Sequence, residues 1–263
     1  MKVKDLLDID RETALISLSY LTDKNRNFYI LNPNLELDYS LYKKIISIMD
    51  KVKDGYPLQY AIGKWNFFGF DFKVDKRALI PRPETEILVE TILSIDSNKK
   101  TILDIGTGTG AIAISLSKFL KDSEIIGVDI SKDAIDLSNE NKKLLEAYNV
   151  EFIQSDLFQN VHDTFDIIVS NPPYINKNDY EKLDPKLYYE PQNALLAEDN
   201  GLFFYKEIIS KAMSYLNESG IIIFEIGYNQ KQAIINLLKE YKYKDIHSIK
   251  DYNGFDRIIY ARK

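Results

Sequence analysis

The sequence has no cysteine and only two histidines, His162 and His247, among its 263 residues. The absence of cysteine excludes disulfides, thiolate metal ligands and a cysteine nucleophile. The scarcity of histidine argues against a multi-histidine metal centre and against repeated histidine acid–base steps. We therefore expect no metal site, and we expect both histidines to lie at the surface or to be satisfied in the core.

Long apolar runs and an excess of basic charge are missing as well. No run approaches the roughly 18–20 residues that span a bilayer, and the opening MKVKDLLDID is too acidic and too polar for a transit or signal peptide. The whole sequence has 40 acidic and 34 basic side chains, and its net charge of −6 disfavours binding to nucleic acid by neutralisation of many phosphates. We expect a cytoplasmic monomer with no membrane contact and no direct binding to nucleic acid.

Two zones of the chain differ in the spacing of their apolar residues. Up to about residue 62 the spacing is helical, and one apolar stripe follows Asp38, a candidate N-cap. Residues 64–75, KWNFFGFDFKVD, alternate around Gly69 and predict a β-hairpin. These patterns predict a helical domain at 1–62, followed by a hairpin and linker at 63–84.

From residue 85 to 263, short β-branched runs alternate with helical patterns. Continuous apolar strands between helices predict an α/β domain with a largely parallel, Rossmann-like sheet and helices on both faces. Ligands of such sheets bind at the carboxyl ends of the strands, near the switch in strand order. The predicted strands are 101–105, 124–128, 150–154, 165–170, 221–226 and 256–261, and the predicted helices include 111–120, 132–147, 202–216 and 229–240.

Three consecutive predicted strands end in groups that suit a nucleoside. The first runs into a glycine-rich turn, which lets a ligand approach bare backbone at a helix N-terminus. The second ends on Asp129, whose carboxylate can accept both ribose hydroxyls. The third precedes Asp156 and Leu157, where an acid can accept from an adenine amino group beside an apolar wall. The candidate residues of the turn are Asp104, Gly106, Thr107, Gly108, Thr109 and Gly110.

The turn alone leaves the choice of cofactor open, because it nearly fits the dinucleotide pattern of nicotinamide enzymes. Asp104 lies just before the first glycine, where a carboxylate would repel a pyrophosphate and attract an amino group or a positive charge. That position favours S-adenosylmethionine, with S-adenosylhomocysteine as the product. The alternative role of Asp104 is that of a surface acid at a strand end.

The fourth predicted strand runs directly into Asn171, Pro172, Pro173 and Tyr174. An amide nitrogen or a ring-conjugated amine is a poor nucleophile, so a site that methylates one must hold its N–H groups. The side chain of Asn171 can accept one N–H and the carbonyl of Pro172 the other, on a backbone stiffened by two prolines. The ring of Tyr174 can cover the planar group. Both hydrogen bonds become stronger as positive charge develops on the nitrogen in the transition state, so no strong base is needed.

Together these motifs resemble the HemK/PrmC family, the protein-(glutamine-N5) methyltransferases that modify class I peptide chain release factors. The NPPY tetrapeptide is shared with nucleic-acid amino-methyltransferases, whereas PRPETE and EPQNAL are more specific to this family. The matching stretches are PLQYAIG at 57–63, FFGFDF at 67–72, LIPRPETEILVE at 79–90, ILDIGTGTGAIAISL at 102–116, GVDIS at 127–131, SDLF at 155–158, FDIIVSNPPYI at 165–175, YEPQNALLAEDNGLFFY at 189–205, FEIGYNQ at 224–230 and DRIIYARK at 256–263.

The resemblance implies a class I methyltransferase fold that binds S-adenosylmethionine. It implies that residues 106–110 cradle the methionine part of the cofactor and that Asp129 takes the ribose. Asp156 and Leu157 would border the adenine, and Asn171 would bind the cofactor as well as the acceptor.

The resemblance also implies a substrate, the glutamine of the Gly-Gly-Gln motif in release factors. Asn171, Pro172 and Tyr174 would hold its amide, and the helical domain 1–62 would contact the release factor. Arg82 would line the substrate side and Glu190 would order the 176–200 loop, with a structural salt bridge as the alternative for both.

Three other functions stay open on the residues alone. A glutamine amide and an adenine amine present similar N–H pairs, so the tetrapeptide also suits a nucleic-acid methyltransferase. The acidic charge and the lack of a basic recognition segment argue against it. A cofactor-binding interaction protein without turnover is a second alternative, disfavoured by the intact Asn171 and Tyr174. A dehydrogenase is the third.

Overall fold

A computed structural model describes all of residues 1–263. Its amino-terminal part is helical, and three of the helices begin at a side chain that accepts a backbone N–H of the first turn: Asp10, Asn25 and Asp38. Gly63, with a left-handed φ of 84°, ends the last of them. The five helices are α1 (Val3–Leu7), α2 (Arg11–Leu21), α3 (Arg26–Leu31), α4 (Tyr39–Lys53) and α5 (Leu58–Ile62).

The predicted apolar stripes of this part meet in a small core of their own. Leu15 and Leu18 of α2 pack with Ile45 and Met49 of α4, all of them buried. Burying a side chain of this size contributes roughly 1.5–3 kcal/mol, so this core can hold short helices that would not persist alone.

The predicted hairpin is present as β1 (Lys64–Phe67) and β2 (Phe70–Lys73), paired antiparallel. Phe67 and Phe72 are buried in the core of the α/β part, which anchors the hairpin there. A linker then leads to α6 (Pro83–Ser94), which starts within the segment assigned to hairpin and linker. Its Glu86 accepts the backbone N–H of Phe68 (2.9 Å), tying the hairpin turn to α6.

The α/β part contains a seven-stranded sheet in the order β5-β4-β3-β6-β7-β9-β8. The pairs from β5 to β7 are parallel, and β9 and β8 are added antiparallel at one edge. The strands are β3 (Thr101–Ile105), β4 (Glu124–Asp129), β5 (Val150–Gln154), β6 (Phe165–Ser170), β7 (Leu216–Glu225), β8 (Lys244–Lys250) and β9 (Asp256–Arg262).

Helices cover both faces of this sheet, as predicted. Neighbouring strand residues such as Ile102 and Leu103 point to opposite faces and enter separate apolar cores. The remaining helices are α7 (Ala111–Phe119), α8 (Lys132–Leu144), α9 (Lys177–Tyr180), α10 (Glu198–Gly201), α11 (Phe203–Ala212) and α12 (Lys231–Glu240). None of the helices has the length and hydropathy to cross a membrane.

Two differences from the sequence prediction lie at the end of the chain. The prediction missed β8, an edge strand whose residues are mostly exposed and which therefore lacks a continuous apolar run. The predicted helix 202–216 ends earlier, at Ala212, because β7 begins at Leu216 rather than at residue 221. The reversed strand β9 makes the sheet mixed, and neither it nor β8 changes the switch in strand order at β3.

Candidate active site

Two cavities lie side by side at the carboxyl ends of the parallel strands. The first, of about 280 Å³, lies over β3, β4 and β5, and the second, of about 170 Å³, lies beyond the end of β6. Both are lined by Asn171 and Pro172, and Arg82 also borders both. Since a group transferred directly must pass between two bound molecules, this shared wall is the place where transfer can occur.

The glycine-rich turn of the first cavity depends on the backbone freedom of glycine. Gly106, Gly108 and Gly110 have φ of 75°, 56° and 80°, in the left-handed region. A Cβ on Gly110 would lie 2.8 Å from the ring of Phe152, so no other side chain fits there without a shift. A Cβ on Gly106 would meet nothing within 4 Å, which leaves bare backbone facing a ligand.

Asp129 lies at the end of β4, where the sequence predicted it, and lines the first cavity. One carboxylate oxygen accepts the N–H of Gly108 (3.0 Å) and the other that of Ser131 (2.9 Å). Each oxygen keeps a further lone pair for a hydroxyl donor. Burial raises the pKa of Asp129. The same carboxylate thus shapes the turn and can accept hydroxyls within the cavity.

Asp104 lies beneath the turn rather than on the cavity wall. It is fully buried, so it is not a surface acid. One oxygen accepts the hydroxyl of Thr107 (2.6 Å), while the other has no partner. Burial raises the pKa of Asp104 to about 7. A buried, unpaired carboxylate oxygen beside bare backbone fits a ligand that brings an amino group, whereas direct contact between the two stays a prediction.

Asp156 and Leu157 line the same cavity after β5, and their contact with an adenine stays a prediction. Leu157 has a φ of 48°, an uncommon left-handed conformation for a branched side chain. The hydroxyl of Ser155 donates to the carbonyl of Leu157 (2.9 Å) and accepts the N–H of Asn160 (2.9 Å), which stabilises this conformation. Strained backbone of this kind concentrates at ligand sites.

Asn171, at the shared wall, is held by two side chains that the sequence analysis missed. Its amide nitrogen donates to the hydroxyl of Thr85 (3.2 Å), which in turn donates to the carboxylate of Glu225 (2.6 Å). Glu225 is only 2% exposed, lines the second cavity, and has its pKa raised to about 7 by burial. The only sequence signal for these two residues is their position inside PRPETE and FEIGYNQ.

Tyr174 lines the second cavity, and its backbone is held in place by contacts with Gln230 and Gly201. The side-chain amide of Gln230 donates to the carbonyls of Tyr174 (3.2 Å) and Gly201 (3.1 Å). A Cβ on Gly201 would lie 2.1 Å from the carbonyl oxygen of Tyr174, so only glycine permits this approach. Burial raises the pKa of Tyr174 to about 12, which keeps its phenol neutral near pH 7.

Arg82 and Glu190 form an ion pair with each other, and Glu190 is buried. The second oxygen of Glu190 accepts the N–H of Ile80 (3.0 Å), so the 176–200 loop is attached to the linker. The loop is also closed at its ends by a bridge between Ile175 and Leu196. Arg82 is part of a salt bridge and also lines the second cavity, while its place on the substrate side stays a prediction.

The linker before α6 is a further part of the site, of which only Arg82 was predicted from the sequence. Residues 77–82 all line the first cavity. Arg77 is fixed there by ion pairs to Asp75 and Glu140, both at 2.8 Å. Asn141 of α8 donates to the carbonyls of Lys73 (3.0 Å) and Thr109 (2.9 Å), which joins the hairpin to the glycine-rich turn.

Comparison with known proteins agrees with this geometry. The sequence profile of the family described as methyltransferase small domain matches residues 83–258. The crystal structure of a methyltransferase from Pyrococcus furiosus superposes with a TM-score of 0.59 at 18% identity, covering 86% of this chain and 99% of that one. The fold and the site therefore define an S-adenosylmethionine-dependent methyltransferase, and the predicted fold class is confirmed.

Curated relatives identify the family more closely. A protein from Fusobacterium nucleatum is 46% identical over 218 residues, 81% of this chain and 62% of its own length. One from Buchnera aphidicola subsp. Schizaphis graminum is 40% identical over 254 residues, 96% of this chain and 92% of its own. Both are named release factor glutamine methyltransferase, and the chain belongs to that family. The resemblance recognised from the motifs is confirmed, and the dehydrogenase interpretation is wrong.

Proposed function

We propose that this protein methylates the side-chain amide nitrogen of the glutamine in the Gly-Gly-Gln motif of class I peptide chain release factors, which supports translation termination. The observation that carries the proposal is the meeting of two cavities at Asn171 and Pro172. One cavity suits the cofactor and the other suits a small planar acceptor. The names of the family's relatives supply the substrate.

The first cavity holds S-adenosylmethionine in this proposal. When bound, this cofactor supplies an electrophilic methyl group and leaves as a neutral thioether, S-adenosylhomocysteine. The turn at 106–110 cradles its methionine part with bare backbone, and Asp104 beneath the turn contributes negative charge. Asp129 accepts the ribose hydroxyls, and Asp156 with Leu157 borders the adenine.

The second cavity holds the glutamine amide. The side-chain oxygen of Asn171 and the carbonyl of Pro172 accept its two N–H groups, and Pro173 limits movement of that backbone. The ring of Tyr174, neutral near pH 7, packs on the amide and excludes water. The two acceptors strengthen as the nitrogen loses electron density, so they stabilise the transition state more than the ground state. Positioning alone can contribute roughly 7–11 kcal/mol.

The release factor reaches this cavity beside the helical domain. A cleft of about 760 Å³ lies between α2, the segment around Tyr56 and the 176–200 loop, and it shares Arg82 and Leu187 with the second cavity. We propose that the segment carrying the glutamine passes through this cleft while residues 1–62 recognise the body of the release factor. The protein acts as a monomer in the cytoplasm and does not bind nucleic acid directly.

The test is mass spectrometry of an unmodified release factor after incubation with the protein and S-adenosylmethionine. We expect one added methyl group on the peptide that contains Gly-Gly-Gln, and none with Asn171→Ala. No added methyl group, despite cofactor binding and a folded substrate, would overturn the proposal. Tritium transfer to total RNA and DNA would then test the nucleic-acid alternative.

A further inference from the structure

A line of three side chains leads from the methyl-transfer point into the core: Asn171 after β6, Thr85 in the first turn of α6 and Glu225 at the end of β7. We propose that Glu225 is a positioning residue which, through Thr85, fixes the orientation of the Asn171 amide, and that protonation of Glu225 releases this orientation. The inference rests on the proposed function in one respect, the role of the Asn171 oxygen as acceptor for the substrate amide.

The hydroxyl hydrogen of Thr85 determines this orientation. A hydroxyl has one hydrogen to donate, and that of Thr85 is directed to Glu225, 2.6 Å away. The hydroxyl oxygen can then only accept from Asn171, so the amide must present its nitrogen to Thr85, 3.2 Å away. The side-chain oxygen of Asn171 is thereby directed away from Thr85, free to accept an N–H of the substrate.

A protonated Glu225 permits the opposite arrangement. Its own hydrogen can be donated to the hydroxyl of Thr85, whose hydrogen is then free to turn toward Asn171. The amide of Asn171 can now rotate by half a turn and present its NH₂ group to the acceptor. An NH₂ group facing the N–H groups of a glutamine amide gives donor against donor, which neither orients nor stabilises the substrate. The protonated enzyme is therefore the less active form.

The surroundings of Glu225 place its titration near neutral pH. Burial raises its pKa to about 7, and Glu84 of α6 acts in the same direction. The hydrogen bond from Thr85 and the positive charges of Arg257 and Arg82 act in the opposite direction. Two tyrosines also face Glu225, and both stay neutral: burial raises the pKa of Tyr174 to about 12 and raises the pKa of Tyr205 as well. Both protonation states are thus accessible in ordinary buffers.

A purely structural role does not explain a carboxylate in this place. Burying an ionisable group without a matching ion pair costs free energy, and a neutral side chain could bond Thr85 without that cost. The carboxylate also borders the second cavity beside Asn171 and Tyr174, so its protonation state is felt where the acceptor binds.

The test compares pH profiles of turnover at saturating cofactor and release factor. In the wild type we expect kcat to fall about tenfold per pH unit below the pKa of Glu225, since one proton inactivates the enzyme. Glu225→Gln mimics the protonated acid. Its kcat should therefore be lower than that of the wild type and should not fall further at low pH. Saturating cofactor is needed because burial also raises the pKa of Asp104, beneath the cofactor turn, to about 7.

Substitutions of Thr85 separate the relay from simple packing. Thr85→Val keeps the shape but removes the hydroxyl, and we expect kcat to fall by roughly 10- to 100-fold with little change in cofactor affinity. Thr85→Ser keeps the hydroxyl and should restore most of the activity. The matched control is Asp166→Asn in β6, a buried carboxylate bonded to the N–H groups of Lys100 and Thr101 away from both cavities. The kcat of Asp166→Asn should still fall at low pH, as that of the wild type does.

A readout independent of turnover completes the test. In protein labelled with ¹⁵N-asparagine, the side-chain resonances of Asn171, assigned by their loss in Asn171→Ala, should shift with pH in the wild type and not in Glu225→Gln. Resonances that do not respond to pH, or a Glu225→Gln enzyme with the wild-type kcat profile, would overturn the relay. If the wild type fails to methylate the release factor, the proposed function fails instead, and the NMR titration still decides the relay.

Discussion

The two cavities of this protein are built in different ways. The cofactor side is made largely of backbone, in a turn where three glycines take left-handed φ angles. The acceptor side is made of side chains that come from distant segments, since Asn171 lies 86 positions from Thr85, and Thr85 lies 140 positions from Glu225. The comparison teaches that the general part of the reaction is encoded locally, whereas the specific part depends on the assembled fold.

The largest expected effect is a loss of turnover without a loss of cofactor binding. Asn171→Ala removes an acceptor for the substrate amide but leaves the glycine-rich turn intact. We expect turnover to fall by roughly 100-fold or more while cofactor affinity, measured by calorimetry, stays within a few fold. A tenfold or greater loss of cofactor binding with normal turnover at saturation would show that Asn171 belongs to the cofactor side.

The converse substitution acts on the cofactor side. Gly110→Ala places a Cβ 2.8 Å from Phe152 at a φ of 80°, so we expect weaker cofactor binding and a loss of roughly 1–3 kcal/mol of stability. Gly254→Ala is the matched control, because Gly254 has a φ of 84° and open space around its Cβ position. Calorimetry and thermal unfolding should show a smaller stability loss and normal cofactor binding in the control. Equal effects in both variants would show that backbone strain alone is responsible.

The last effect is on the pH dependence of stability and concerns the carboxylate beneath the turn. The pKa of Asp104 is about 7 in the folded protein, above its ordinary value of 3.8. Between these values the folded state binds more protons than the unfolded state, so this group makes stability fall as pH rises, by at most about 1.4 kcal/mol per pH unit. Asp104→Asn should lack that contribution, as urea unfolding between pH 4 and 8 can measure. An unchanged slope would show that Asp104 is ionised throughout this range.

The same contrast explains what the sequence could predict. The turn around Gly108, the acid at Asp129 and the tetrapeptide after β6 are contiguous motifs at strand ends, and strand ends are where α/β sheets bind ligands. These motifs therefore predict the cofactor side and the transfer point, and the fold brings their residues to the two adjoining cavities. The parallel strands were also predictable, because their continuous apolar runs mark burial on both faces.

The parts that escaped prediction depend on tertiary contacts. Thr85 and Glu225 gain their roles only when α6 packs beside the end of β7, and nothing in either local sequence indicates the other. The burial of Asp104 beneath the turn also escaped prediction, because it depends on how the turn packs, while its contact with the ligand stays a prediction. The edge strand β8 lacked a continuous apolar run because it is mostly exposed.

The linker between hairpin and α6 has a thermodynamic consequence. Leu79 and Arg82 border both cavities. A ligand in one cavity that orders this segment therefore also lowers the entropy cost of ordering it for a ligand in the other cavity. Any gain in affinity that the cofactor gives the release factor must then be returned by the release factor to the cofactor by the same factor. A ligand that orders this short segment thereby favours binding of the other ligand.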